Sequence, residues 1–105
     1  MNLISLIYCT FPDQKSLETI CIKLLQEKLI ACYNQFDIQS GYWWHLEITK
    51  AGEIGCLLKT KPTHLGPAVA ALEMLHPYET PCILNWEVTA SQKYGAWIES
   101  CLDLG

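Results

Sequence analysis

The 105-residue sequence predicts an α+β fold with the order β-α-β-β-α-β and one further helix at its C-terminal end. The main observation is that the hydrophobic period switches along the chain between two residues, as in strands, and 3.6 residues, as in helices. Prolines and glycines fall between these periodic segments, where the chain must turn. The length supports one hydrophobic core, so residues 1–105 are expected to form a single domain.

The first strand and the first helix are predicted from an apolar run and a capping residue. Residues 3–9 are apolar at nearly every position, which is typical of a strand covered on both faces. Asp13 can cap the following helix, and we expect that helix to end near Ala31. The helix carries one apolar stripe, formed by Leu17, Ile20, Cys21, Leu24 and Leu25.

A hairpin of two strands is predicted next. Aromatic and β-branched residues favour a long strand over residues 33–48, and a turn at residues 50–52 leads into a second strand over residues 54–60. Trp43 and Trp44 are adjacent in the first of these strands, so they point to opposite faces of the sheet. One of them is expected in the core and the other at an interface or cleft.

The second half of the chain predicts a helix, a strand and a last helix. Pro62 opens the second helix and Pro77 ends it. Residues 81–88 then alternate as a strand, with Cys82, Leu84, Trp86 and Val88 on one face. The final helix is expected to begin after Thr89 or Ser91. Its apolar stripe is Tyr94, Trp97, Ile98, Cys101 and Leu102.

This order is that of the ferredoxin-like sandwich, an antiparallel sheet with helices packed on one face. Half of the residues are apolar and only 17% are charged, whereas about a quarter are charged in ordinary soluble domains. The second face of the sheet must therefore be covered as well. A homo-oligomer is the simplest way to cover it.

Charge and cysteine content exclude several classes of protein. The net charge is −4 and every one of the seven cationic residues is a lysine, so phosphate-clamping arginines are absent and a nucleic-acid partner is not expected. No apolar stretch is long enough for a membrane span. The six cysteines form no Cys-x-x-Cys pair and no export signal precedes them, which predicts reduced thiols in a cytoplasmic protein.

Six short motifs follow one another from one end of the chain to the other. They are CTFPD (9–13), ACYN (31–34), SGYWW (40–44), KT (59–60), HPYETP (76–81) and YGAW (94–97). In this order they resemble the CutA family of divalent-ion tolerance proteins, and the His-Pro-Tyr block is the most specific of them. The resemblance implies a ferredoxin-like subunit in a tight homotrimer, with clefts at the subunit boundaries and no assigned catalytic reaction.

The resemblance also places Trp44 near the shared cleft, which leaves Trp43 for the core. It implies a metal site as well. The ligands proposed for the family are a Cys, a His and a Glu, which correspond here to Cys9, His76 and Cys82, with cysteine in place of the glutamate. Two thiols and an imidazole form a soft donor set, so Cu(I) or zinc is favoured over hard divalent ions. Neither metal is expected to be obligatory for folding.

Structural roles compete with these functional ones. Cys9 and Cys82 could be packing residues, and His76 could cap the second helix. A second hypothesis is a PII-like trimer that binds a small effector or a partner in a cleft built from Trp44, Lys59, Tyr78 and Glu79. A third is a purely structural scaffold. No enzyme is expected, because a Cys9–His76 couple lacks an orienting acid or amide.

Overall fold

The computed structural model describes residues 2–103 and contains the predicted elements in the predicted order. Among these residues no helix is long and apolar enough to cross a membrane. The elements are β1 (Asn2–Phe11), α1 (Gln14–Gln26), β2 (Cys32–Trp44), β3 (Glu47–Thr60), a 3₁₀ turn (Pro62–His64), α2 (Leu65–Leu75), β4 (Ile83–Ala90) and α3 (Gln92–Asp103).

The four strands form one antiparallel sheet in the order β2-β3-β1-β4. The central strand β1 pairs with β3 on one side, where Cys9 lies opposite Cys56. On its other side β1 pairs with β4, where Cys9 lies opposite Ile83. The predicted ferredoxin-like fold is confirmed, and β4 forms an edge of this sheet.

Helices α1 and α2 cover one face of the sheet, while α3 covers part of the other. The main core lies beneath α1 and α2 and contains Ile7, Phe11, Leu17, Leu24, Leu58 and Leu72. A smaller cluster, beneath α3, joins Ile4, Ala90, Ile98 and Leu102. The prediction of helices on one face is therefore correct for α1 and α2, and α3 adds a second layer at one end of the open face.

The turn of the β2–β3 hairpin lies at His45 and Leu46, earlier than the predicted turn at residues 50–52. Both residues have positive φ angles, 49° and 67°, as the central residues of a type I′ turn require. Residues 50–52 lie within β3 and continue the pairing with β2. The hairpin is consequently longer than predicted and forms an arm that extends beyond the residues of β3 that pair with β1.

Helix α1 ends at Gln26, about one turn before the predicted end near Ala31. Lys28 adopts a left-handed conformation with φ of 57°, and the amide of Leu29 donates back to the carbonyl of Leu24. This closing hydrogen bond satisfies a carbonyl of the last turn and stops the helix. At the other end the Asp13 carboxylate accepts from the amide of Ser16, as predicted for the cap.

Candidate functional site

A cleft of about 680 Å³ lies on the open face of the sheet. The β2–β3 arm forms one wall and the segment of residues 77–82, between α2 and β4, forms another. Five aromatic side chains line it: Tyr8, Tyr42, Trp43, Trp44 and Tyr78. Its acidic and thiol groups belong to Glu53, Glu79 and Cys82.

Glu53 forms the buried acidic group of this cleft. It lies on β3, and its side chain is nearly inaccessible to solvent. The hydroxyl of Tyr78 donates to Glu53 Oε2 at 2.5 Å. Burial, and then the Glu53 carboxylate itself, raise the pKa of Tyr78, so this phenol remains a neutral donor. The pair joins the turn after α2 to β3.

His76 lies just behind the cleft and uses both of its ring nitrogens. Its Nε2 donates to the carbonyl of Thr10 at 2.7 Å, while its Nδ1 accepts from the amide of Tyr78 at 3.1 Å. The ring also stacks on Phe11 with centroids 4.9 Å apart. Burial lowers the pKa of His76, against smaller opposing effects of the Thr10 carbonyl and Glu53. In this arrangement the imidazole is neutral and offers no free lone pair.

Cys9 and Cys82 lie on opposite faces of the sheet. Cys9 is fully buried in the core beneath α1 and α2, and its partner in register, Ile83, packs against the same core. Cys82 precedes Ile83, so alternation places it on the other face, where it lines the cleft. Burial, followed by the neighbouring Cys56, raises the pKa of Cys9 to about 12. The thiol of Cys9 is thus protonated as well as inaccessible.

These positions do not assemble the predicted metal set of Cys9, His76 and Cys82. Within residues 2–103, no three His, Cys, Asp or Glu side chains are grouped so that they could hold a metal ion. Cys9 faces the core and both nitrogens of His76 are occupied. Of the three predicted ligands only Cys82 reaches the cleft. The metal set was predicted to assemble across a subunit boundary; within one chain the three side chains stay apart, because Cys9 and Cys82 face opposite sides of the sheet.

The residues predicted to build an effector cleft divide in a similar way. Trp44, Tyr78 and Glu79 line the cleft. Lys59 does not: its Nζ lies 3.3 Å from the hydroxyl of Tyr94 on α3 and over that ring. Trp43 is not in the core as expected, since 71% of its surface is exposed and it lies at the cleft rim on the arm.

Sequence reasoning missed Glu53, Tyr8 and Tyr42. Glu53 was hidden because the turn was predicted at residues 50–52, next to it, where an acidic residue is ordinarily solvated. In the longer β3, it pairs with Ile38 of β2 and faces the cleft. The signal that could have revealed it is an acidic residue directly before the apolar segment of residues 54–58, in phase with one face of that strand.

Comparison with known proteins assigns this chain to a protein family. Residues 5–101 match the family model described as CutA1 divalent ion tolerance protein. The chain belongs to the CutA1 family. Its relatives in that family include the divalent-cation tolerance protein CutA of Thermotoga maritima, which is 40% identical over 89% of this chain and 93% of its own length. The Pyrococcus horikoshii protein of the same name is 35% identical over 89% of this chain and 92% of its own length.

Solved structures of CutA1 proteins have the same fold. The crystal structure of the divalent ion tolerance protein CutA1 from Ehrlichia chaffeensis aligns with a TM-score of 0.93 at 37% identity and covers 99% of both chains. The protein from Archaeoglobus fulgidus, described as a periplasmic divalent cation tolerance protein CutA, aligns with a TM-score of 0.91 at 31% identity. The alignment covers 95% of this chain and 99% of that one. The correspondence extends over nearly the whole CutA1 domain.

Proposed function

We propose that this CutA1 chain confers metal tolerance by binding a soft metal ion, Cu(I) or zinc, in the cleft. The observation that carries the proposal is that Cys82 and Glu53 lie at the same cleft in a member of a divalent-ion tolerance family. Glu53 influences the titration of Cys82, which reflects their proximity. A thiolate and a carboxylate are both metal donors, and the thiolate gives the preference for a soft ion.

The donor set in one chain is incomplete, because two protein ligands are fewer than a stable site needs. Water, a small ligand or a neighbouring subunit would supply the remaining donors. Burial, and then Glu53, raise the pKa of Cys82, so the free thiol must lose a proton when the metal binds. Metal affinity is consequently expected to increase with pH.

The test is a titration of the reduced protein with Cu(I) under anaerobic conditions, in competition with a chromogenic chelator. We expect Cys82→Ser and Glu53→Gln to weaken the affinity by about tenfold or more, the range found when metal-site residues are altered. Cys101→Ser is the matched control, since it makes the same chemical change at a thiol of α3 that does not line the cleft. Unchanged Cu(I) affinity in Cys82→Ser would refute the site.

The proposal includes a homotrimer in a reducing compartment such as the cytoplasm. The family resemblance implies the number three, and exposed apolar side chains support association: Leu84 and Trp86 on β4, and Trp43, Leu46 and Ile48 on the arm. A reducing compartment is needed because Cys82 binds a metal only as a free thiol. The proposal assigns binding and no catalysis, since Cys9, the thiol considered for a catalytic couple, is buried and protonated.

A second candidate function is the binding of a small organic effector. It is favoured by the size and the lining of the cleft. About 680 Å³ falls within the range of pockets that hold small molecules, and an aromatic lining with a few polar groups is typical of such pockets.

A further inference from the structure

The walls of the cleft combine aromatic rings with negative charge. Five aromatic side chains and the carboxylates of Glu53 and Glu79 line it. Within the described residues 2–103, no lysine or histidine side chain is among the lining groups. Lys59, the cation that sequence reasoning placed here, is held against Tyr94 on α3 instead. The cleft therefore has acidic charge with no cation of its own to neutralise it.

The other polar side chains that line the cleft carry no positive charge. They are hydroxyl groups, such as those of Tyr8 and Tyr78, and the thiol of Cys82. The carboxylates of Glu53 and Glu79 thus set the sign of the electrostatic potential, and the partly buried surroundings strengthen their effect.

A positively charged organic group matches this combination. The faces of Trp and Tyr rings attract cations, and sets of such rings are used to recognise ammonium groups. The rings also provide apolar surface, which a hydrated metal ion cannot exploit but alkyl groups can. An anion such as a phosphate would meet two carboxylates and no cationic side chain of this chain's cleft lining.

Building on the second candidate function, we propose that the cleft binds a small organic ammonium ion. Its charged group lies against the rings of Trp44, Tyr42 and Tyr8, beside the carboxylate of Glu53. The Tyr78 hydroxyl, by donating to Glu53, fixes the position of that carboxylate at the floor of the cleft. Glu79, on the opposite segment, supplies a second negative charge.

The test uses two probes of equal shape, (2-hydroxyethyl)trimethylammonium and its uncharged carbon analogue 3,3-dimethylbutan-1-ol. Both are titrated calorimetrically into the unmodified, assembled protein. We expect the ammonium ion to bind about tenfold more tightly than the neutral alcohol, and added salt to narrow the difference. Because no substitution is involved, this comparison does not depend on a variant folding correctly. Equal binding of the two probes, or binding of neither, would overturn the proposal.

Variants then locate the site. Trp44→Leu is expected to weaken ammonium binding about fivefold or more, and Glu53→Gln is expected to remove most of the preference for the charged probe. Trp97→Leu is the matched control, because it changes an equally exposed tryptophan on α3 that does not line the cleft. If Trp97→Leu weakens binding as much as Trp44→Leu, the ammonium site is elsewhere.

The same variants separate this proposal from metal binding. Cys82→Ser should lose Cu(I) affinity and keep ammonium binding, because a serine hydroxyl preserves the shape of the wall. Trp44→Leu should keep its Cu(I) affinity and lose ammonium binding, because an indole ring provides no ligand atom for the metal. If Cys82→Ser binds Cu(I) normally while the ammonium probe binds as expected, only the metal proposal fails. If the metal results hold and neither organic probe binds, only the ammonium proposal fails.

Discussion

His76 connects the end of β1 to the turn after α2 through both of its ring nitrogens. One nitrogen must carry a proton to donate to the Thr10 carbonyl, and the other must lack one to accept from the Tyr78 amide. A second proton on the ring would sit on Nδ1 and face the N–H of Tyr78, so that hydrogen bond would be lost. At the scale of single residues, this neutral imidazole is the feature with the most direct consequence for stability.

His76 should make stability depend on pH near neutrality. Its pKa is lowered in the folded protein from 6.5, so between the two values the unfolded chain binds more protons than the folded one. Its contribution to the free energy of unfolding is therefore complete above pH 6.5 and is lost as the pH falls below that value. Urea denaturation at intervals from about pH 8 to pH 5.5 measures it.

The matched variants for this prediction are His76→Gln and His64→Gln. We expect His76→Gln to lower the free energy of unfolding at pH 8 by about 1–3 kcal/mol, because its amide cannot reproduce both hydrogen bonds and the ring stacking. In His76→Gln the free energy of unfolding should also depend less on pH between 8 and 5.5. His64→Gln, in the 3₁₀ turn, should leave the slope unchanged. A parent and a His76→Gln variant with the same slope would contradict the assignment.

The family resemblance indicated Cys9, Cys82 and His76 as candidate ligands, and it could not show which way the side chains point. That depends on the register of β1 and β4, which places Cys9 opposite Ile83. A shift of one residue would bring a different set of side chains to the cleft. Glu53 was missed for the related reason that the turn of the hairpin was predicted too late.

At the scale of elements, α3 is attached to the sheet by very close packing. Gly95 of α3 lies so near β1 that an added Cβ would be 2.5 Å from the Cβ of Asn2. In contrast, a Cβ added to Gly66 of α2 would meet no atom of another element within 4 Å. The two helices thus use glycine for different reasons, and only α3 needs it for contact.

The same substitution should consequently have effects of different size in the two helices. Gly95→Ala should lower the free energy of unfolding by about 1–3 kcal/mol, because α3 or the start of β1 must move to relieve the overlap. Gly66→Ala should change it by less than about 0.5 kcal/mol, because the better helix propensity of alanine is offset by contact of its Cβ with the ring of Pro67. Thermal and urea unfolding at one fixed protein concentration compare them. A stabilising Gly95→Ala would show that α3 is not packed as described.

The β2–β3 arm illustrates why the position of one element was mispredicted. Lys50, Ala51 and Gly52 have the composition of a turn, whereas His45 and Leu46 do not. Yet His45 and Leu46 adopt the left-handed conformations, and residues 50–52 remain paired with β2. Thirteen-residue and fourteen-residue strands in register outweigh the local preference.

At the scale of the whole molecule, the single chain is elongated and leaves much apolar surface uncovered. Its extents are 45 × 24 × 21 Å. The arm exposes Trp43, Leu46 and Ile48, and the edge strand β4 exposes Leu84 and Trp86. Apolar patches on an edge strand and on a projecting arm are typical of surfaces that associate. Surfaces that associate need few charged residues, which accounts for the low proportion of charge in the sequence.

Sedimentation equilibrium should therefore give three times the subunit mass of 11.9 kDa at micromolar concentration. Leu84→Lys should shift the mass toward that of the single chain, because it would bury a charge in the proposed interface. Met74→Lys is the control: this residue is 83% exposed on α2, on the face away from β4's apolar side chains. A parent protein of single-chain mass would rule out the trimer, and a fully assembled Leu84→Lys variant would remove β4 from its interface.

The sequence by itself determined the order of the elements, the ferredoxin-like sheet and the membership of a metal-tolerance family. These depend on hydrophobic period and on short motifs, which are local properties of the chain. Only the tertiary structure decided which side chains meet. The pairing of β1 with β4 separates Cys9 from Cys82, and the long hairpin brings Glu53 and Trp44 to the cleft. Strand register sets the face of every side chain, and it is fixed by contacts between residues far apart in the sequence.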